Sequence, residues 1–151
     1  MPILQPQDEE AVRQRFESEL AGDVKMTLVT HNPIGGLMIP GRDCPSCPTA
    51  QQLIEEVVAL SPKIELEIVD FYRDSETAKS LGVDKIPAVI VHNSDESGAK
   101  FYGLPSGFEF PVLLDAIVAA STQVSGLSES ALAALAQVTE DVHIQVFVTP
   151  T

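Results

Sequence analysis

The sequence predicts an α/β sandwich with the element order β-α-β-α-β-β-α, preceded by one additional helix. A β-prone run that leads through a Gly- and Pro-rich loop into an amphipathic helix predicts a parallel crossover unit. Two short strands separated by a turn, and then a closing helix, complete the pattern. The chain has 151 residues, 44% of them hydrophobic, which suits one compact domain with a small appendage.

The first part of the chain supplies a helix, a strand and a second helix. An acidic amphipathic helix is expected near residues 8–20, and the β-prone run MTLVTH follows, with Met26, Leu28 and Thr30 facing one way. A loop rich in Gly and Pro comes next. From Pro45 onward apolar residues recur at helical spacing, which predicts a helix that opens at the cysteines, with the apolar positions Ala50, Leu53, Ile54, Val57, Val58 and Leu60.

The second part supplies two strands around a short helix, then a hairpin partner and a helix. IELEIVD (64–70) alternates apolar and acidic residues, which is typical of an edge strand with one solvent-exposed face. SETAKSLG (75–82) predicts a short helix that stops at a glycine. PAVIVH (87–92) and AKFYG (99–103) form the hairpin, and FEFPVLLDAIVAAS (108–121) forms the closing helix.

The end of the chain repeats the pattern of its beginning. DVKMTLVT (23–30) and DVHIQVFV (141–148) share an Asp-Val opening and the same apolar positions, and each follows an acidic helix, the later one near residues 128–138. We therefore expect two regions, a complete unit over 1–121 and the opening of a second unit over 122–151. One helix with one strand cannot form its own core, so this segment must pack on the first unit or stay unpacked, unless it is a chance β-prone tail.

The net charge of the chain and its lack of long apolar segments argue against several classes of partner and location. Lys and Arg number 9 against 22 Asp and Glu, for a net charge of −13, which disfavours nucleic acid and anionic lipid as partners. The opening MPILQPQDEE has no secretory pattern, and no window approaches the roughly 18 apolar residues of a membrane span. The expected compartment is the cytoplasm, where a CxxC pair is more often redox-active or metal-binding than structural.

The stretch GRDCPSCPT contains both cysteines, Cys44 and Cys47, at the start of the predicted helix. The thiolate is the nucleophile in disulfide exchange, and the positive end of a helix dipole stabilises it. Because Cys44 precedes the helix, it should be the more exposed and attacking thiol, with Cys47 resolving. Pro45 makes the intervening turn rigid, and the Arg42 cation would lower the pKa of Cys44, against the effect of Asp43.

A proline opens the third predicted strand, in DKIPAVIVH. Pro87 is tolerated there as an ordinary trans residue. The functional alternative is a cis Ile86–Pro87 bond that faces the two sulfurs, where the backbone of Ile86 would pair with a substrate chain.

Together, the element order, CPSC at the first helix of the sandwich and Ile-Pro at the third strand resemble the thioredoxin/glutaredoxin superfamily. Longer stretches, VDFYRDSETAKSLGVDKIPAVIV, FYGLPSGFEFPVLLDAIVAAS and DVHIQVFVTPT, resemble the two-unit, glutaredoxin-like protein disulfide oxidoreductases. The resemblance implies a thioredoxin-like three-layer α/β/α sandwich with an extra N-terminal helix and the opening helix and strand of a second unit. A second C-P-x-C would follow FVTPT in that family, and this chain lacks those cysteines.

The resemblance also implies roles for individual residues. Cys44 is the expected nucleophile, Cys47 the resolving thiol and Pro87 the cis-proline, with substrate beside Ile86, Pro45 and Arg42. Protein thiols and disulfides are the implied substrates, a thioredoxin-reductase-like protein or glutathione is the implied electron donor, and no cofactor beyond the redox-active disulfide is needed. In two respects the chain departs from the family: the loop before the cysteines is longer and lacks the preceding aromatic residue, and the buried acid of thioredoxins is not located.

Two rival functions remain open. A zinc site needs four ligands, whereas the chain offers two cysteines and His31, His92 and His143 without a second pair at ligand spacing. A non-catalytic thioredoxin-like adaptor would use the fold for docking while the thiols do little.

Two surfaces are candidates for protein contacts. Leu37, Met38 and Ile39 in the long loop form either a docking lip or a segment tucked onto the core. The C-terminal strand, if unpaired, would favour a homodimer.

Overall fold

The computed structural model describes residues 2–33, 39–94 and 98–147. A mixed four-stranded sheet in the order β2-β1-β3-β4 lies between helices, and the predicted α/β architecture is confirmed. The elements are α1 (Pro6–Glu19), β1 (Val24–Thr30), α2 (Cys47–Val58), β2 (Ile64–Asp70), α3 (Ser75–Ser80), β3 (Ala88–His92), β4 (Gly98–Tyr102), α4 (Glu109–Thr122) and α5 (Glu129–Leu135).

Strand β1 lies at the centre of the sheet and has a different orientation to each neighbour. It pairs in parallel with β2, with Thr30 opposite Asp70, and antiparallel with β3, with Val29 opposite Ala88. Strand β2 is an edge strand, as predicted. Ile68 on it is 43% exposed although its alternation predicts burial, because the outer side of an edge strand is open to solvent.

The two faces of the sheet carry different cores. Alternate residues of β1, from Val24 through Met26 to Leu28, pack against α2 and α4 in the larger core. Val29 points to the opposite face, where α3 covers a smaller cluster. Helix α3 has six residues, and the same face of the sheet also carries the polar side chains of Thr27 and His92, which are bonded to each other.

The N-terminal helix is part of the domain. Phe16 is 1% exposed and lies in the larger core, so α1 is held by burial of an aromatic side chain. Ahead of it, the backbone N–H groups of Ile3 and Leu4 donate to the Glu56 carboxylate of α2 at 2.9 to 3.0 Å. Partial burial would raise the pKa of Glu56, but these hydrogen bonds outweigh it and lower the pKa.

The described part of the C-terminal segment, residues 123–147, contributes no residue to either core. Helix α5 buries no residue, and Val142, Ile144, Val146 and Phe147 are all at least 66% exposed. Within 141–147 no strand forms, which corrects the strand predicted over 141–148. A β-strand needs a hydrogen-bonded neighbour, and among the residues described no strand pairs with this segment. The division into two units stays a prediction.

None of the helices in the described ranges has the length and apolar character needed to cross a bilayer.

Candidate active site

The two cysteines form a disulfide at the start of α2. Their Cα atoms are 5.3 Å apart, and the backbone N–H of Cys47 donates to the carbonyl of Cys44 at 3.2 Å. Cys47 is fully buried as the first residue of the helix, whereas Cys44 lies in the preceding turn and is partly exposed. Cys44 is therefore the more exposed of the two residues.

The end of α2 that carries the cysteines is the positive end of its dipole. The helix has 12 residues, and its first turn begins with a hydrogen bond from the Ala50 N–H to the carbonyl of Ser46 at 2.9 Å. Pro48 has no N–H and the N–H of Cys47 is already bonded, so it is chiefly the helix dipole that favours negative charge on a nearby sulfur. Pro45 is exposed in the turn between the cysteines.

Arg42 stacks on an aromatic ring of the neighbouring loop. Its guanidinium carbon is 4.6 Å from the ring centroid of Tyr72, a cation–π contact. The Tyr72 ring also meets His31 edge-on, with centroids 4.8 Å apart. These contacts connect the segment before the cysteines to the loop after β2. Of the suggested docking lip, Ile39 is 50% exposed, whereas Leu37 and Met38 lie outside the described residues.

Pro87 lies at the same end of the sheet as the cysteines. Ala88 is level with Val29 in the β1–β3 ladder, so Pro87 is level with Thr30 at the C-terminal end of β1. The Ile86–Pro87 peptide bond is cis, and the carbonyl of Pro87 accepts a hydrogen bond from the Gly103 N–H at 2.8 Å. Because α2 follows β1, its N-terminus also lies at this end.

A buried carboxylate that the sequence did not reveal lies next to β1. Asp70 is 6% exposed, and its two oxygens accept hydrogen bonds from the backbone N–H groups of Asn32, Tyr72 and Arg73 and from His31 Nδ1. Burial would raise the pKa of Asp70, but the hydrogen bonds together outweigh it and lower the pKa. The only sequence signal was an acid at the end of a β-prone run.

Thr30 is the Cα partner of Asp70 across the ladder and is 1% exposed. Its backbone carbonyl accepts from the Phe71 N–H at 2.9 Å. Its hydroxyl has no hydrogen-bond partner and is, among the described residues, the one buried side-chain nitrogen or oxygen in that state.

The three histidines have different surroundings. His31 contacts Asp70, His92 Nε2 is 2.8 Å from the Thr27 hydroxyl, and His143 is exposed in the C-terminal segment. Within the described part of the chain, no three His, Cys, Asp or Glu side chains are grouped to hold a metal ion.

Sequence and structure comparisons agree on the fold. Residues 37–109 match the family model of a thioredoxin domain. A protein disulfide oxidoreductase from Aeropyrum pernix superposes with a TM-score of 0.72 at 18% identity over 88% of this chain. The alkylhydroperoxide reductase AhpF from Enterococcus faecalis superposes with a TM-score of 0.67 at 20% identity over 84% of this chain. No curated protein sequence matches the chain.

The two solved structures are longer than the region they share with this chain. The matched region covers 54% of the Aeropyrum pernix chain and 57% of the Enterococcus faecalis chain. At these identities the likeness establishes the fold. Together with the thioredoxin domain matched over residues 37–109, it shows that the chain has a thioredoxin-like fold.

Proposed function

We propose that the protein is a thiol–disulfide oxidoreductase that exchanges a dithiol and a disulfide with protein substrates through Cys44 and Cys47. The observation that carries the proposal is the asymmetry of the pair, in which one bonded sulfur is partly exposed ahead of a helix and the other is buried as its first residue. An exposed thiolate beside a helix N-terminus is a nucleophile, and a buried neighbour three residues on is placed to displace the product.

In the reducing direction, the Cys44 thiolate attacks one sulfur of a substrate disulfide. A bond forms between Cys44 Sγ and that sulfur, and the other substrate sulfur leaves as a thiolate. Cys47 then loses its proton and its thiolate attacks Cys44 Sγ, which releases the second substrate thiolate and forms the Cys44–Cys47 disulfide. Two electrons pass from the dithiol to the substrate, and the reverse sequence oxidises a substrate dithiol.

The substrate chain is placed between the turn before α2 and the start of β3. Ile86 and Pro87 lie at the same end of the sheet as the cysteines, and Pro45 is exposed between them. In this proposal the backbone of Ile86 pairs with the substrate, while Arg42 supplies positive charge near Cys44. A thioredoxin-reductase-like protein or glutathione returns the electrons, and the cytoplasm is the proposed compartment.

The test is to trap the intermediate. Reduced Cys47→Ser should accumulate a mixed disulfide with oxidised glutathione at Cys44, because no resolving thiol remains; intact-mass spectrometry then shows one bound glutathione. Wild-type protein should release it and form the internal disulfide. Cys44→Ser is the matched control, and its buried Cys47 should react much more slowly. Equal labelling of the two variants would contradict the assigned roles, and no labelling of either would remove the enzyme function.

A further inference from the structure

The unpartnered hydroxyl of Thr30 lies on the face of β1 that helix α2 covers. Along β1, Met26 and Leu28 face the larger core together with Leu53 and Ile54 of α2. Side chains two residues apart on a strand share a face, so Thr30 points toward the same helix. Helix α2 connects the parallel strands β1 and β2, so it runs antiparallel to β1. From this topology we expect its first residue, Cys47, near the end of β1 where Thr30 lies.

The neighbours of Thr30 within the sheet leave its hydroxyl without a partner. On one side, Asp70 uses its oxygens for the N–H groups of the adjoining loops and for His31. On the other side comes Pro87, which has no backbone N–H to donate. A buried hydroxyl without a hydrogen bond destabilises the state in which it occurs. In this oxidised state, the Cys47 sulfur is held in the disulfide.

We propose that the Thr30 hydroxyl is a positioning group for Cys47, to which it donates a hydrogen bond once the disulfide opens. The inference rests on the proposed function. When a thiolate attacks Cys44 Sγ, the Cys44–Cys47 bond breaks and its electron pair stays on Cys47 Sγ. The Cys47 thiolate then accepts a hydrogen bond from the Thr30 hydroxyl. In the reverse direction the same hydrogen bond stabilises the Cys47 thiolate before it attacks Cys44 Sγ and expels the substrate sulfur.

The arrangement predicts opposite effects of one substitution on the two redox states. Thr30→Val keeps the side-chain shape and removes the hydroxyl. The oxidised protein should then unfold at a higher urea concentration than wild type, because an unsatisfied polar group is gone. The reduced protein should gain less or lose stability, because the hydrogen bond to Cys47 is lost with it. The disulfide form should therefore be favoured about fivefold at equilibrium with glutathione, which corresponds to about 20 mV more negative potential.

Kinetic measurements separate the attack by Cys44 from the resolution step by Cys47. A symmetrical aromatic disulfide that releases one coloured thiolate at each step reports both steps in a stopped-flow experiment with the reduced protein. Thr30→Val should leave the first release, caused by Cys44, within about twofold of wild type. The second release, caused by Cys47, should slow by about fivefold or more, as expected for loss of a hydrogen bond to a charged group. Thr30→Ser should restore both the rate and the potential.

Thr27→Val is the matched control. Thr27 is equally buried on the same strand, but it faces the opposite side of the sheet and its hydroxyl is bonded to His92. This variant should lose stability in both redox states and leave the potential and the second release unchanged. A wild-type potential and second-step rate in Thr30→Val, or a Thr30→Ser variant that behaves like Thr30→Val, would overturn the inference. If wild-type protein shows no two-step release at all, the proposed function itself fails.

Discussion

Asp70 and His31 join the ends of the two parallel strands: the carboxylate of Asp70 accepts a hydrogen bond from His31 Nδ1 at 3.2 Å. The same carboxylate accepts hydrogen bonds from three backbone N–H groups, one in the loop after β1 and two in the loop after β2. One buried anion thus organises the segment that leads to the cysteines and the loop after β2, which carries Tyr72, the ring on which Arg42 stacks.

Replacing this carboxylate should destabilise the domain. Asp70→Asn loses acceptors for several N–H groups, so the free energy of unfolding at pH 7 should fall by about 2 kcal/mol. Asp84→Asn, at an exposed position, is the control and should be neutral. Urea denaturation measures both, and equal stability of the two variants would contradict the role of Asp70.

Acid should remove the contribution of Asp70. Its pKa is lower in the folded than in the unfolded protein, so its stabilisation is complete above the unfolded value of about 3.9 and is lost as pH falls through the folded value. The stability difference between wild type and Asp70→Asn should therefore shrink in urea titrations below pH 4. A difference that grows there would have the wrong sign.

His92 should make the domain sensitive to mild acid. Burial contributes most to the lowered pKa of His92, and the cation Lys25 comes next. Glu67 opposes the shift, and Lys100 adds a smaller lowering effect. The unfolded chain binds this proton first, so the stabilisation is complete above about pH 6.5 and declines as pH falls below it. His92→Gln should flatten the stability curve between pH 7.5 and 5.5, whereas His143→Gln, at an exposed position, should not.

The N-terminal helix should be required for stability. Phe16 is 1% exposed, so Phe16→Ala should cost about 3 to 5 kcal/mol of unfolding free energy. Phe108 is 87% exposed, and Phe108→Ala should change stability by less than about 0.5 kcal/mol. Thermal and urea unfolding of the two variants would show α1 to be dispensable if Phe16→Ala matched Phe108→Ala.

The exposed C-terminal segment should mediate association. Val142, Ile144 and Val146 alternate with polar residues, and all three are exposed, so they form an unpaired apolar row. If a second copy covers this row, sedimentation should show a concentration-dependent homodimer that Ile144→Asp abolishes and His143→Asp, in the alternate register, affects less. A wild-type protein that stays monomeric at every concentration would contradict the homodimer.

The parts of the fold that depend on local patterns could be predicted from the sequence. Alternation in β1 placed Met26, Leu28 and Thr30 on one face, and the helical spacing after Pro45 placed Cys47 at a helix start. Asp70 could not be recognised as a buried acid, because its burial depends on loops from two strands that are distant in sequence.

Two other features needed the three-dimensional arrangement. The isolation of the Thr30 hydroxyl depends on its neighbours in the sheet, since the same residue beside a free acceptor would be bonded. The predicted strand over 141–148 had the right alternation, but alternation alone cannot supply the neighbouring strand that β-structure needs.

The reduction potential of the Cys44–Cys47 pair decides whether these cysteines are a catalytic redox pair. Wild-type protein is equilibrated with glutathione buffers of graded ratio, alkylated and analysed by mass spectrometry, with Cys44→Ser as the control that cannot form the disulfide. We predict a two-electron transition between about −120 and −270 mV, the range of known dithiol oxidoreductases. A pair that never forms the internal disulfide, or one that stays oxidised at every accessible ratio, would contradict the account.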